Sequence, residues 1–223
     1  MKTVFSKIAN SSKRLRADTS GLAMVEFALS LPVFLTLSFG GIETANYTLS
    51  NLRVSQMALA VADNAGRVRT SIDESDIDEV MIGARLLGEG IKFGANGRII
   101  LSSLESNGLT GANAGQMIRW QRCFGAKVKS STYGAEAAGT TNATLAAGMG
   151  PSGRKITAAS GTAVMFVEIF YTYQPAVMNS ILGTKEITYT AAYTIRERAS
   201  QTMTNTSSMT TAQKRLCTNY SST

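Results

Sequence analysis

GLAMVEFALSLPVFLTLSFGGI, residues 21–42, is an apolar run long enough to cross a bilayer as a helix. Glu26 is its only charged residue. Five basic residues (Lys2, Lys7, Lys13, Arg14, Arg16) precede the run, and only Asp18 opposes them. The positive-inside bias therefore puts the N-terminus in the cytoplasm and exports everything after about residue 45. Residues 1–21 read as a basic leader and residues 22–42 as a transmembrane helix.

A secretory leader carries an apolar stretch of roughly 7 to 15 residues that ends in a small-x-small cleavage motif. Here the stretch is longer and runs on into a helical pattern, so it is expected to stay in the mature protein. Glu26 lies five residues, about 7 Å of helical rise, beyond Gly21. A charge at the centre of a bilayer costs at least about 2.5 to 3.5 kcal/mol, so this carboxylate needs a reason. Two readings stand. In one, Glu26 sits at the interface and snorkels or pairs with Arg16. In the other, a peptidase cuts between Gly21 and Leu22, and Glu26, now the fifth residue, meets the free amine of a neighbouring chain. Basic leader, Gly, four residues, Glu and apolar helix together resemble the class III and type IV prepilin pattern.

At 223 residues the chain has room outside the membrane for one modest domain. Its net charge of +7 suggests nucleic acid. Residues 1–21 hold five of the 22 basic residues and one of the 15 acidic ones, which leaves 17 against 14, or +3. The basicity is largely topogenic, and no Lys/Arg stripe with interleaved aromatics suggests a nucleic-acid partner. Cys123 and Cys217 both fall on the exported side. In an oxidising compartment such a pair is expected to form a disulfide, the alternative being two independent thiols. No Cys-x-x-Cys spacing is present, so redox and zinc sites are not indicated.

From Glu43 to about Thr70 the pattern stays helical but turns amphipathic, with Val54, Met57, Val61, Ala65 and Val68 spaced 3, 4, 4 and 3 apart. Joined to the span this predicts a helix of about 48 residues, roughly 70 Å long. Pro32 falls mid-membrane, where it can kink the helix, and Gly40-Gly41 form a second soft point near the exit. Ser71 and Glu74 predict a capping box opening a second helix, which Gly88 and Gly90 end. The acidic cluster Asp73, Glu74, Asp76, Asp78 and Glu79 lacks the spacing of a calcium loop and reads as helix-dipole stabilisation.

Strand patterns follow. Arg98–Leu104 is a short apolar run, and Gln116–Phe124 alternates, with Ile118, Trp120 and Phe124 on one face against Arg119, Gln121 and Cys123. Trp120 reads as a core anchor. Residues 125–162 form a Gly/Ser-rich insertion with a short strand pair expected around Val128 to Tyr133. Gly94–Gly97 and Gly148–Gly153 are loops without a Walker Lys-Ser/Thr. Ala163–Tyr173 and Ile187–Ile195 are the strongest strands; in the second, Ile187, Tyr189, Ala191, Tyr193 and Ile195 share a face. The fold class is α+β: a long N-terminal transmembrane helix continuing as an amphipathic spine, packed on a small, mostly antiparallel sheet of about four strands. The domain spans 43–198, and 199–223 is a Ser/Thr-rich tail held, if at all, by Cys217.

On Gly21-Leu-Ala-Met-Val-Glu26-Phe27-Ala-Leu-Ser-Leu-Pro32 the chain resembles the TadE-like proteins, minor pilins or pseudopilins of bacterial tight-adherence (Tad/Flp) pilus systems. The resemblance continues through Trp120-Gln-Arg-Cys123, Val167-Glu168 and Tyr171-Thr-Tyr173-Gln-Pro175, covering residues 20 to about 198. It implies a pilin-like fold, cleavage between Gly21 and Leu22 by a prepilin peptidase, and Glu26 steering the helix into register among other pilin subunits. It also implies the bacterial inner membrane, with the domain in the periplasm and a later place in an extracellular pilus. Major pilins of these systems usually carry Glu-Tyr where this chain has Glu26-Phe27, and are far shorter, so a minor tip or assembly subunit of a Tad-type (type IVc) pilus is expected.

Without histidine, Ser-His-Asp, Cys-His and His-metal designs are excluded. No catalytic residue, metal or cofactor is expected. Three functions are weighed: the minor pilin; an uncleaved membrane-anchored periplasmic binding or scaffold protein, in which Gly21 and Glu26 are incidental; and an exported hydrolase, which would need paired acids of separated pKa in a cleft.

Overall fold

The computed structural model of the protein describes residues 19–177 and 183–222, so most of the expected leader lies outside the described residues. Helix α1 (Ser20–Arg67) is continuous over 48 residues, about 72 Å. Pro32 sits within it without ending it. In its first half Leu22, Met24, Phe27, Leu29, Val33, Phe34 and Leu37 are all 60% to 77% exposed. Large apolar side chains bare on every side suit lipid rather than water, and the segment is compatible with a single-pass membrane anchor.

Past residue 42 the same helix buries one face. Val54, Met57, Ala58, Val61, Ala62 and Ala65 are almost wholly enclosed, at the spacing that the amphipathic pattern requires. They pack on the inner face of a four-stranded antiparallel sheet, with Leu101, Val167, Ile169 and Ala191 among their neighbours in the core. The strands are β2 (Gly97–Ser106), β3 (Gln116–Phe124), β4 (Ala163–Tyr173) and β5 (Lys185–Thr194), in the order β3-β2-β4-β5. Strand β5 runs alongside α1: the Lys185 ammonium lies 5.6 Å from the Tyr47 ring at one end, and the Arg196 N–H donates to Gly66 O at the other. The domain is thus strung along the helix axis, with the end of β4 and the start of β5 nearest the apolar half of α1.

Between α1 and the sheet come β1 (Ile72–Asp73), α2 (Glu74–Gly88), a 3-10 turn (Glu89–Ile91) and the short α3 (Phe93–Asn96). The α2 cap lies two residues beyond the expected one. Asp73, not Ser71, accepts from the Ser75 N–H, and Asp76, not Glu74, closes the capping box. The reason is tertiary: Ile72–Asp73 pairs in parallel with β6 (Met203–Thr204), which keeps the chain extended through Asp73. Glu74 is freed to hold the buried Arg122 guanidinium at 2.5 and 2.8 Å.

A second difference lies in β3. Register shifts between Ser102 and Leu104, where Gln121 and Ile118 are their partners, so β3 carries one extra residue. That bulge reverses the side-chain alternation. Trp120 and Phe124 stay in the α1-facing core as expected, whereas Ile118 turns to the opposite face, beside Leu104, Val164 and Phe166.

That outer face is covered by the insertion, through Leu145, Met149 and Ala158, with the Tyr133 ring edge-on to Phe166. Residues 128–133 form no strand. Ser131 Oγ and the Thr132 N–H instead donate to the buried Glu168 carboxylate, at 2.5 and 2.9 Å, which pins that stretch across β4 and spends its polar groups on a side chain. Gly139 allows a close approach to β3: with φ at +80°, a Cβ there would sit 2.1 Å from Gln116 O.

Candidate functional site

The first residues of α1 are presented, not packed. Gly21 has open space around it, Leu22 is 60% exposed, and Glu26 is exposed with no hydrogen bond or ion pair among the described residues. Arg16, its alternative partner, lies outside those residues. A lone carboxylate thus stands on an otherwise apolar lateral surface. No neighbour within the described chain satisfies it, which is the condition under which a charge in lipid seeks a partner from another molecule.

The sequence missed a second carboxylate, at the other end of the span. Glu43 follows directly on the apolar run, yet it is only 2% exposed. The Tyr173 hydroxyl donates to Glu43 Oε1 at 2.5 Å, and the N–H groups of Ala176 and Val177 donate to Oε2 at 3.1 and 3.0 Å. Burial, then the bond to Glu43, push the Tyr173 phenol above its ordinary value. Tyr47 meets the Tyr173 ring edge-on at 5.2 Å. This clasp fastens the end of β4 to the helix where it leaves the apolar segment. The available signal was the Tyr171-Thr-Tyr173-Gln-Pro175 block, which read as resemblance rather than as contacts.

Cys123 and Cys217 are joined as a disulfide. The bond ties β3 to the tail, which is further held by Arg98: buried completely, this side chain donates to the carbonyls of Gly125, Asn219 and Cys217 at 2.6 to 2.8 Å. Trp120 Nε1 donates to Gln201 O at 3.2 Å. The acidic residues of α2 serve structure: Asp73 caps, Glu74 pairs with Arg122 and Asp78 with Arg215. Among the described residues no group of three or more Cys, Asp or Glu is placed to hold a metal.

The exposed start of α1 and its buried continuation lie within one matched stretch: the family described as TadE-like protein matches residues 21–63. Those residues form a TadE-like segment. It begins at Gly21, includes both Glu26 and Glu43, and ends inside the face that docks on the sheet. A TadE-like segment supports a pilin-like role associated with Tad pili. No curated protein and no solved structure matches the chain.

Proposed function

We propose that this protein is a minor pilin or pseudopilin, a structural rather than catalytic subunit that takes part in assembly or initiation of a Tad-type pilus. Glu26 carries the reading: an exposed carboxylate, unpartnered among the described residues, five positions after Gly21 on a bare apolar helix. A prepilin peptidase cuts between Gly21 and Leu22, and the Glu26 carboxylate then pairs with the new amine of an adjacent subunit, setting the helix in register. Until extraction the chain is anchored in the inner membrane with its domain in the periplasm, where the Cys123–Cys217 bond is stable.

N-terminal sequencing and intact mass of the protein purified from membranes test this directly. A mature start at Leu22 is expected, and Glu26→Ala should be cleaved yet fail to enter the assembly. A mature start at Met1 sinks the proposal in favour of an uncleaved membrane-anchored binding or scaffold protein.

A further inference from the structure

The two edges of the four-stranded sheet are finished differently. At β3 the chain closes its own edge. The Ile118 N–H donates to Ala138 O, the Ala137 N–H donates to Ile118 O, the Gln121 N–H donates to the Glu136 carboxylate, and the Cys123 N–H donates to Arg215 O. β3 also carries the bulge. At the other edge β5 pairs with β4 in unbroken register, from Lys185 opposite Tyr173 to Thr194 opposite Val164, and with no further strand.

The phase of that ladder identifies the groups left over. The Ile195 N–H donates to Ala163 O at 3.0 Å, one step beyond the Thr194–Val164 pair. Bonded and outward residues alternate in an antiparallel ladder, so Tyr189, Ala191 and Tyr193 bond to β4 while Thr188, Thr190 and Ala192 turn their N–H and C=O groups away from it. Those backbone groups have no partner among the described residues. Thr188 and Thr190 are exposed and Tyr189 is 38% exposed, so α1 leaves this stretch uncovered. The helix reaches the edge at its far end, where the Arg196 N–H donates to Gly66 O.

Proteins blunt an open edge with proline, bulges, charges or a very short strand. Ile187–Thr194, ITYTAAYT, has no Pro, Gly or charged residue, and all but its two alanines are β-branched or aromatic. Such a row of free N–H and C=O groups is complementary to another extended backbone. A second copy does not fit it. β5 runs in the same direction as α1, from Lys185 beside Tyr47 to Arg196 beside Gly66. Antiparallel pairing of two β5 edges, the more stable arrangement, would send the two apolar helix halves to opposite ends, and one membrane could not hold both.

We infer that β5 is a docking edge for an extended segment of a different protein, which joins the sheet as a further strand. The edge sets the chemistry of that segment: uncharged, because Ile187–Thr194 offers no counter-charge, and rich in β-branched residues to lie opposite Thr188 and Thr190. The inference takes α1 as a membrane anchor but does not depend on cleavage at Gly21.

The test is amide hydrogen exchange, read residue by residue by NMR on the full chain in detergent micelles, with a short peptide of alternating threonine and valine as the probe. In the free chain the Thr188, Thr190 and Ala192 amides should exchange fast, and those of Tyr189, Ala191 and Tyr193 slowly. With the peptide at about ten times its Kd the first three should slow about tenfold and the second three should not change. Thr190→Pro removes an outward N–H and no ladder bond, so it should keep the parent's Tm and abolish the peptide's effect. The amide pattern is read on the wild type, so it decides the question even where that variant fails to fold. Outward amides as slow as the inward ones in the free chain overturn the inference, because the chain then covers its own edge. So does a peptide that slows none of them, or slows them equally in Thr190→Pro. Protection that rises with the chain's own concentration overturns it as well, by seating a second copy there.

Discussion

Asp73 shows how one side chain can serve three elements at once. Its carboxylate caps α2 through Ser75 and accepts from Thr204 Oγ1 and from the N–H and hydroxyl of Thr206, in the tail. Desolvation raises its pKa, but the backbone N–H groups of Thr206 and Ser75, with the hydroxyls of Ser75 and Thr204, outweigh it and hold the carboxyl well below the usual range. A depressed carboxylate stabilises the fold fully above its unfolded value near 3.9, and that contribution is lost as pH falls toward the folded value. Asp73→Ala is therefore expected to cost about 1–3 kcal/mol in chemical denaturation at pH 7. The variant should also lose less stability than the parent between about pH 4 and pH 2. Glu43→Gln keeps one amide oxygen for the Ala176 and Val177 N–H groups, which share Oε2, but it removes the charge from those bonds and turns an NH2 in place of an acceptor toward the Tyr173 hydroxyl, at a cost of about 1–3 kcal/mol. Tyr173→Phe should cost less, because those two N–H groups keep their acceptor. The Tyr173 phenol, raised above its ordinary value, contributes fully below about pH 10 and loses that contribution above it, so Tyr173→Phe should also flatten the alkaline decline in Tm.

At the scale of elements, Gly88 at the end of α2 is wedged between Met57 of α1 and Phe93 of α3. A Cβ there would sit 2.6 Å from Phe93 Cβ and 2.9 Å from Met57 Cε. The methionine end can yield, but the Phe93 Cβ is fixed to the backbone that enters β2. Gly88→Ala is thus expected to destabilise by about 1–3 kcal/mol through overpacking, although the same change in an open helix stabilises. Circular dichroism melting would check the sign. What was legible in the sequence follows the same division between local and distant contacts. Helix α1, β4 and β5 were readable because periodicity survives along an uninterrupted element: the Val54-Met57-Val61-Ala65 stripe is the buried face. The α2 cap and the face of Ile118 were misread because each is decided by a distant strand. Asp73 is set by Met203–Thr204, and Ile118 by the bulge opposite Ser102–Leu104. The open edge of β5 was not legible at all, because strand order follows from pairing and not from the period of one strand.

Across the whole molecule the sheet separates two cores, the larger against α1 and α2 and the smaller beneath the insertion, and the tail closes the remaining strip of the outer face around Ile100, Cys123 and Phe170. The tail docks by polar contacts at its start, Asp73 and Trp120, and by the disulfide and Arg98 at its end. These holds are mutually dependent. The Arg98 guanidinium is buried with no ion pair among the described residues, and two of the carbonyls it donates to, those of Cys217 and Asn219, belong to the tail that the Cys123–Cys217 bond holds in place. Desolvation pushes the guanidinium's pKa down. Opening a cross-link between residues 94 apart removes about 2–4 kcal/mol. Losing the tail's carbonyls adds the expense of a buried guanidinium with unmet donors. Cys123→Ser with Cys217→Ser should therefore lower stability by more than the cross-link alone accounts for, and should free the tail while α1 and the sheet stay folded. Limited trypsin digestion tests this: cleavage after Lys214 or Arg215 is expected in the double variant and in the reduced wild type, and resistance in the oxidised protein. If the reduced protein resists as well, Arg98 and Asp73 alone hold the tail, and the disulfide is redundant to the fold.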